Sequence, residues 1–208
     1  MEDLVVPGNF PEEVTFYFGS QTGTAEKYCK ALEEEASKIG IQSPITMDFE
    51  QFEADTFKNH KLVIICAATH YEGDPCDNTK KFFKWVRESL KTKDNTLLKG
   101  VKFTIFGLGD TSYEQYNYIG RYFDKSLEEM GAERVFKYGE GNAEKNSTED
   151  DFNEWKANMW KELFEHYASS ETIEEKTTML TRKLSFEKEK SQRFDSDKPY
   201  KIEYPLMV

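Results

Sequence analysis

VTFYFGSQTGTAEKYCKALEEEASKIG, residues 14–40, is the stretch on which the architecture turns. Val14 to Phe18 is a β-branched and aromatic run suited to a buried pleated surface, and Gly19 stops it. From Ala25 to Ile39 the apolar residues return at Tyr28, Leu32, Ala36 and Ile39, which is helical spacing, and Gly40 ends the pattern. A strand, a short turn and a helix in that order open a βαβ unit. The turn between them, Gly19-Ser20-Gln21-Thr22-Gly23-Thr24-Ala25, has small residues whose backbone N–H groups can face inward. Its hydroxyls add donors, and the following helix aims its positive end at the same point. That assembly suits a terminal phosphate, although a Ser/Thr/Gly turn can also be only a turn. The stretch lacks the lysine of GxxxxGK[ST] and the glycine spacing of GxGxxG, so neutral donors must hold the anion.

Working outward, Ile45 to Phe49 reads as a short second strand. Leu62 to Ala68 is apolar without alternation, as expected when helices cover both faces of a central parallel strand. A helix over Asn78 to Leu90 turns Phe82, Trp85 and Val86 inward. Val101 to Phe106 is a fourth strand, Tyr116 to Met130 a helix ended by Gly131, and Arg134 to Tyr138 a fifth strand. The last helix, Glu149 to Tyr167, sets Phe152, Trp155, Met159, Leu163 and Phe164 on one side. Five strands separated by helices predict a three-layer α/β domain with a parallel sheet and right-handed crossovers. Two doubly wound types remain open, the dinucleotide-binding Rossmann type and the flavodoxin type. Both put ligands at the carboxyl ends of strands 1, 3 and 4.

The chain has 208 residues and a formal net charge of −11. Residues 171–208 hold eight acidic and eight basic side chains, so the whole excess lies in the main domain. Such a charge disfavours nucleic acid and anionic membrane as partners and points to a basic protein surface. Cys29, Cys66 and Cys76 show no paired spacing for a metal or dithiol site, and His60, His70 and His166 form no HExxH array. A reducing, intracellular setting is the simpler reading. No window approaches the roughly 20 apolar residues of a bilayer span, and the acidic N-terminus is not a signal peptide. The domain is expected over 14–168, after an N-terminal extension at 1–13. Residues 169–208 pass from polar to partly alternating to charged to apolar. They read as a hinge and the start of a following domain, or else as an extension packed on the main sheet.

Two further loops carry unusual residues. Strand 3 ends in Ala68-Thr69-His70-Tyr71-Glu72-Gly73-Asp74-Pro75, and strand 4 in Gly107-Leu108-Gly109-Asp110-Thr111-Ser112-Tyr113, followed by Glu114-Gln115-Tyr116-Asn117. Each sets aromatic side chains beyond a sheet edge, where they can cover opposite faces of a planar heterocycle, and each supplies glycines for close backbone approach. Aromatic residues that merely close surface loops are the plainer alternative.

Taken in order and spacing, FGSQTGTAE, ATHYEGDPCDN, FGLGDTSYEQYN and GEGN resemble the flavin mononucleotide (FMN) domain of NADPH-cytochrome P450 reductase and the related diflavin reductases, over about residues 14–167. The resemblance implies a flavodoxin-like domain with a five-stranded parallel sheet in the order 2-1-3-4-5. It implies FMN as cofactor, with FAD and NADP only in a partner domain. Electrons would come from that FAD/NADPH reductase domain and leave for the basic surface of a haem protein such as cytochrome P450. The fragment itself would neither contact membrane nor oxidise NADPH efficiently. It would face the cytoplasm, in a family whose full-length members can be anchored in the endoplasmic reticulum membrane.

Carried over by position, Ser20, Gln21, Thr22, Gly23, Thr24 and Ala25 would cradle the phosphate. Ala68, Thr69, His70, Tyr71 and Gly73 would form one ring-facing loop. Leu108, Gly109, Asp110, Tyr113, Tyr116 and Asn117 would form the other, with Tyr113 stacking. Asn142 stands near the ribityl chain, where the reductases usually carry aspartate. Glu72, Asp74, Asp77, Asp110 and Glu114 would make an acidic rim for the partner.

Two departures fall in the first ring-facing loop. His70 replaces the usual stacking tyrosine, and Tyr71 replaces a glycine whose peptide can turn its carbonyl toward the flavin. A Cβ at 71 makes that arrangement costlier, so the one-electron-reduced ring should be less stabilised, while Tyr71 can supply the missing aromatic face. A stand-alone flavodoxin-type carrier and a non-redox interaction module that has lost flavin are the competing readings.

Overall fold

The strand read at Val14 to Phe18 is β1, Glu13–Gly19, in a computed structural model that describes residues 6–168 of the chain. It leads into α1, Thr24–Lys38, and then β2, Ser43–Asp48, a single turn α2, Ala54–Phe57, and β3, Leu62–His70. A two-residue strand β4, Asp74–Pro75, folds back antiparallel on the end of β3, pairing Thr69 with Pro75 and His70 with Asp74. There follow α3, Lys80–Thr92, β5, Lys102–Gly109, and α4, Tyr118–Glu129. Next come β6, Glu133–Arg134, and β7, Gly139–Asn142, and the final helix α5 occupies residues 148–168.

The parallel sheet runs β2-β1-β3-β5-β6, which is the expected 2-1-3-4-5 order once the small β4 is set aside. The fifth strand departs from its expected form. It is expected over Arg134 to Tyr138 but pairs with β5 in two pieces, β6 and β7, on either side of residues 135–138. The cause lies in side chains that take the intervening carbonyls. Thr104 Oγ1 donates to the Phe136 oxygen at 3.1 Å, and Trp155 Nε1 donates to the Lys137 oxygen at 3.0 Å.

Side chains of the central strands alternate between two cores, as the pleat requires. Phe16, Ile64, Cys66 and Phe106 pack under α1 and α5, whereas Tyr17, Val63, Ile65, Phe103 and Ile105 pack under α3 and α4. Both faces of β3 are therefore dry, which explains its continuous apolar sequence. Phe49, Phe57, Phe82 and Phe123 cluster on the second face, with the Phe49 and Phe82 rings stacked 4.4 Å apart. Burying each such ring contributes roughly 1.5–3 kcal/mol. Phe10, from the stretch read as an N-terminal extension, is buried against Phe164 and Tyr167. The expected hinge and following domain at 169–208 lie outside the described residues.

Among the described residues, no helix is long and apolar enough to cross a membrane. No group of three or more His, Cys, Asp and Glu side chains there could hold a metal ion.

Candidate functional site

Parallel register brings the carboxyl ends of four strands to one edge. Gly19 pairs with Ala67, Ala68 with Leu108, and Gly109 with Asn142. The loops leaving these rungs therefore converge, and between them lies a cleft of about 360 Å³.

One wall is the loop from β1 to α1. Gly23 caps α1 with φ 88, a left-handed conformation that favours glycine, and its N–H donates to Ser20 Oγ at 3.0 Å. The Ala25 N–H points to the same hydroxyl at 3.4 Å. Ser20, Thr22 and Thr24 line the cleft, so hydroxyls and the start of a 15-residue helix face one another there, with no cation in the loop. Gln21 instead faces outward and ties the loop to the segment after β3. Its side chain donates to Asp77 Oδ2 at 3.2 Å and accepts from the Asp77 N–H at 3.3 Å. The Asp77 carboxyl is held below its ordinary range by hydrogen bonds from Lys80 and then Gln21. Asn78 adds a second tie, accepting from the Ser20 N–H at 3.2 Å while donating to Asp48 Oδ1 at 3.0 Å.

The other walls are aromatic. Ala68, Thr69, His70 and Tyr71 line the cleft from β3, with the His70 and Tyr71 rings 3.9 Å apart and tilted by 51°. Tyr71 is 64% exposed and has φ 43, so a tyrosine occupies the left-handed region. Opposite stand Leu108, Gly109, Asp110 and Tyr113, the last 44% exposed. This loop is braced by Asp110, whose carboxylate accepts from the Ser112 N–H at 2.8 Å and the Ser112 hydroxyl at 2.5 Å, which lowers its pKa. Tyr116 and Asn117 close the floor, and burial pushes the Tyr116 phenol up.

Five of the expected residues stand behind the wall. Gln21 makes the tie already described, while Gly23 and Ala25 form the turn. A Cβ on Gly73 would lie 3.1 Å from Gln115 Cβ, so Gly73 lets the two ring-facing loops approach. Asn142 is buried, and its side-chain oxygen accepts from the Thr111 N–H and from the Glu144 N–H, both at 3.2 Å. Its amide donates to Thr111 Oγ1 at 2.9 Å. In the described structure it organises the β5 loop rather than facing the cleft.

Four cleft residues were not among the expected ones: Tyr28, Gln115, Ala143 and Thr148. Tyr28 was assigned to the apolar stripe of α1, where it does stack on Phe152 at 4.1 Å while its edge reaches the cleft. Thr148 opens α5 just beyond β7, and the position of that loop at the carboxyl edge was the available signal.

The flavodoxin family model matches residues 17–155, from the middle of β1 into α5. The chain belongs to the flavodoxin family. This flavodoxin domain is 43% identical over 145 residues to an NADPH-cytochrome P450 reductase from Dictyostelium discoideum, a match covering 69% of this chain and 21% of that protein. It is 37% identical over 167 residues to the human NADPH-cytochrome P450 reductase, covering 78% of this chain and 24% of the relative. The chain thus spans about a quarter of the length of these relatives. Among solved structures, oxidised flavodoxin 1 from Bacillus cereus superposes with a TM-score of 0.56 at 21% identity, over 74% of this chain and 98% of that one. A flavodoxin variant from Pseudomonas aeruginosa gives 0.60 at 22% identity, over 73% and 98%. At these identities the two structures speak for the fold alone.

Proposed function

We propose that this domain binds FMN at the carboxyl edge of its sheet and relays electrons from an FAD/NADPH reductase domain to a haem protein with a basic surface. The observation that carries the reading is the meeting, in one cleft, of a cation-free hydroxyl loop at a helix N-terminus with two aromatic loops. The donor set fits a flavin phosphate, and His70 or Tyr71 with Tyr113 would cover the two faces of a planar ring. The fit extends to the floor, where Tyr116 and Asn117 line the cleft.

FMN, when bound, supplies a ring that takes up and gives up electrons one at a time. The residues bind and orient. Ser20, Thr22 and Thr24 donate to the phosphate, the aromatic side chains exclude water from the ring faces, and the exposed Tyr71 and Tyr113 mark the side on which a partner can approach. Glu72, Asp74 and Glu114 are exposed and form no ion pair among the described residues, so their charge is available to a basic surface. Asp77 is tied to Lys80 at 2.5 Å and is a weaker candidate. The close match to P450 reductases over most of the domain supports the diflavin setting.

Titrating the flavin-free chain with FMN and riboflavin tests the cofactor. FMN should bind at least ~10-fold more tightly than riboflavin, because charge-assisted hydrogen bonds to the phosphate contribute roughly 1.5–3 kcal/mol each. Equal affinity for both would reject the phosphate loop, and no binding of either would reject the function. The FMN-loaded, photoreduced protein should reduce a basic c-type cytochrome at a rate that falls with salt. A salt-independent rate that survives charge reversal at Glu72, Asp74 and Glu114 would remove the rim from the account.

A further inference from the structure

Tyr138 lies between β6 and β7, and its ring packs with the cluster beneath α3 and α4. The phenol enters a slot that exists only because two facing residues lack side chains. A Cβ on Gly107 of β5 would lie 2.0 Å from the Tyr138 hydroxyl oxygen, and one on Gly120 of α4 would lie 2.5 Å from it. Inside the slot the hydroxyl is buried and has no hydrogen-bond partner among the described residues. The side-chain oxygen of Asn117 is in the same condition. It lies 3.1 Å from that same Cβ position on Gly107, so the two oxygens are separated by no more than the sum of the two distances. That span is within reach of one bridging water. One group is a hydroxyl donor and the other an acceptor, and leaving both unpaired side by side would cost roughly 1–3 kcal/mol for each.

The orientation of the Asn117 amide is fixed from its other end. Its Nδ2 faces the Gly141 oxygen at 3.4 Å, and because a carbonyl only accepts, the oxygen end must point toward Gly107 and Tyr138. Asn117 also holds φ 53 at the start of α4, where its backbone oxygen accepts from the Arg121 N–H at 3.1 Å. The residue lines the cleft. Whatever holds that amide fixes the point at which the loop bearing Tyr113 and Tyr116 enters the helix.

We propose that Tyr138 is a positioning residue for the cleft: its slot-bound hydroxyl donates through one bridging water to Asn117 Oδ1, and thereby sets the floor beneath the ring-facing loop. Burial raises the pKa of this phenol, so the donor keeps its proton throughout the working pH range. In its cofactor arm the inference rests on the FMN reading, whereas the contact itself does not.

The test is a double-mutant cycle on the full 208-residue chain with Tyr138→Phe and Asn117→Ala. In the flavin-free protein, Tyr138→Phe should shift the unfolding equilibrium about 5-fold toward the unfolded state, and the shift should largely vanish when Asn117 is already alanine. FMN and riboflavin should both bind roughly 5-fold to 10-fold more weakly to Tyr138→Phe, by a common factor, because the phosphate end is untouched. The visible circular dichroism of the bound flavin should change with them. A space-filling role predicts the reverse: removing an unpaired buried hydroxyl leaves stability unchanged or higher and both affinities intact. That result overturns the proposal. If the wild-type chain binds no flavin while the flavin-free cycle still shows coupling, the FMN reading falls and the Tyr138–Asn117 contact stands.

Discussion

At φ 43, Tyr71 carries a Cβ into the left-handed region, which favours glycine. The conformation costs a residue with a side chain roughly 1–2 kcal/mol. Its ring contributes little in return through burial, being 64% exposed. Substituting Tyr71→Gly relieves the strain but frees the unfolded chain, which takes back about 0.4–1 kcal/mol. The flavin-free protein should therefore keep its stability or gain up to about 1 kcal/mol, whereas Tyr71→Val, β-branched in the same conformation, should lose about 1 kcal/mol or more. Denaturant midpoints at unchanged slope decide between the two. A clear loss of stability in the glycine variant would mean that the tyrosine ring, through its contact with His70, holds the loop in place. The turn therefore tolerates Tyr71 as a strained residue, and the ring it gains stands at the mouth of the cleft.

At the scale of elements, the clearest sequence signals were those enforced by burial on two sides. The unbroken apolar run of β3 and the helical stripes of α1 and α5 follow from cores above and below the sheet, so the layers were legible, whereas the strand order came only from the family resemblance. The fifth strand was less legible because Thr104 and Trp155, distant in sequence, capture the carbonyls of Phe136 and Lys137. The three loops of the cleft were readable as strings. The ties between them were not, since a tie depends on which loop folds beside which. Asn78 is such a tie: it binds the Ser20 N–H, accepts from the Thr79 hydroxyl at 3.1 Å and donates to Asp48, joining the ends of β1 and β2 to the start of α3. Replacing Asn78 with alanine leaves the Ser20 N–H without its acceptor and should cost roughly 1–2 kcal/mol of stability. Because Ser20 opens the phosphate loop, FMN affinity should fall while riboflavin affinity changes little. Equal losses for the two ligands would place the effect of Asn78 on the whole cleft rather than on its phosphate end.

Across the whole molecule the two edges of the sheet do different work. The carboxyl edge gathers strained and exposed residues, as a binding edge can afford only when the rest of the domain is well packed. The amino edge gathers a buried polar cluster around His60, whose Nδ1 lies 3.3 Å from Thr15 Oγ1 and 3.2 Å from Glu13 Oε1, and whose Nε2 lies 3.2 Å from the Tyr17 hydroxyl. Burial lowers the His60 pKa from 6.5, outweighing the opposing pull of the Glu13 carboxylate. The folded state therefore prefers the neutral ring. Above pH 6.5 the histidine is neutral in both folded and unfolded chains, and its contribution is fully present. Below pH 6.5 the unfolded chain takes up a proton that the folded chain resists, so stability falls with pH until the folded pKa is passed. A single proton gives a slope of at most about 1.4 kcal/mol per pH unit. Thirty-nine carboxylates also respond to acid, but they titrate mainly below this window, and a comparison of variants separates them. His60→Gln keeps a donor and an acceptor without a titrating ring. Its stability should be flatter than wild type between pH 6.5 and pH 5, and the two curves should run parallel above pH 7. Parallel curves throughout would show that His60 shares its proton equally between folded and unfolded chains, with Glu13 cancelling the cost of burial.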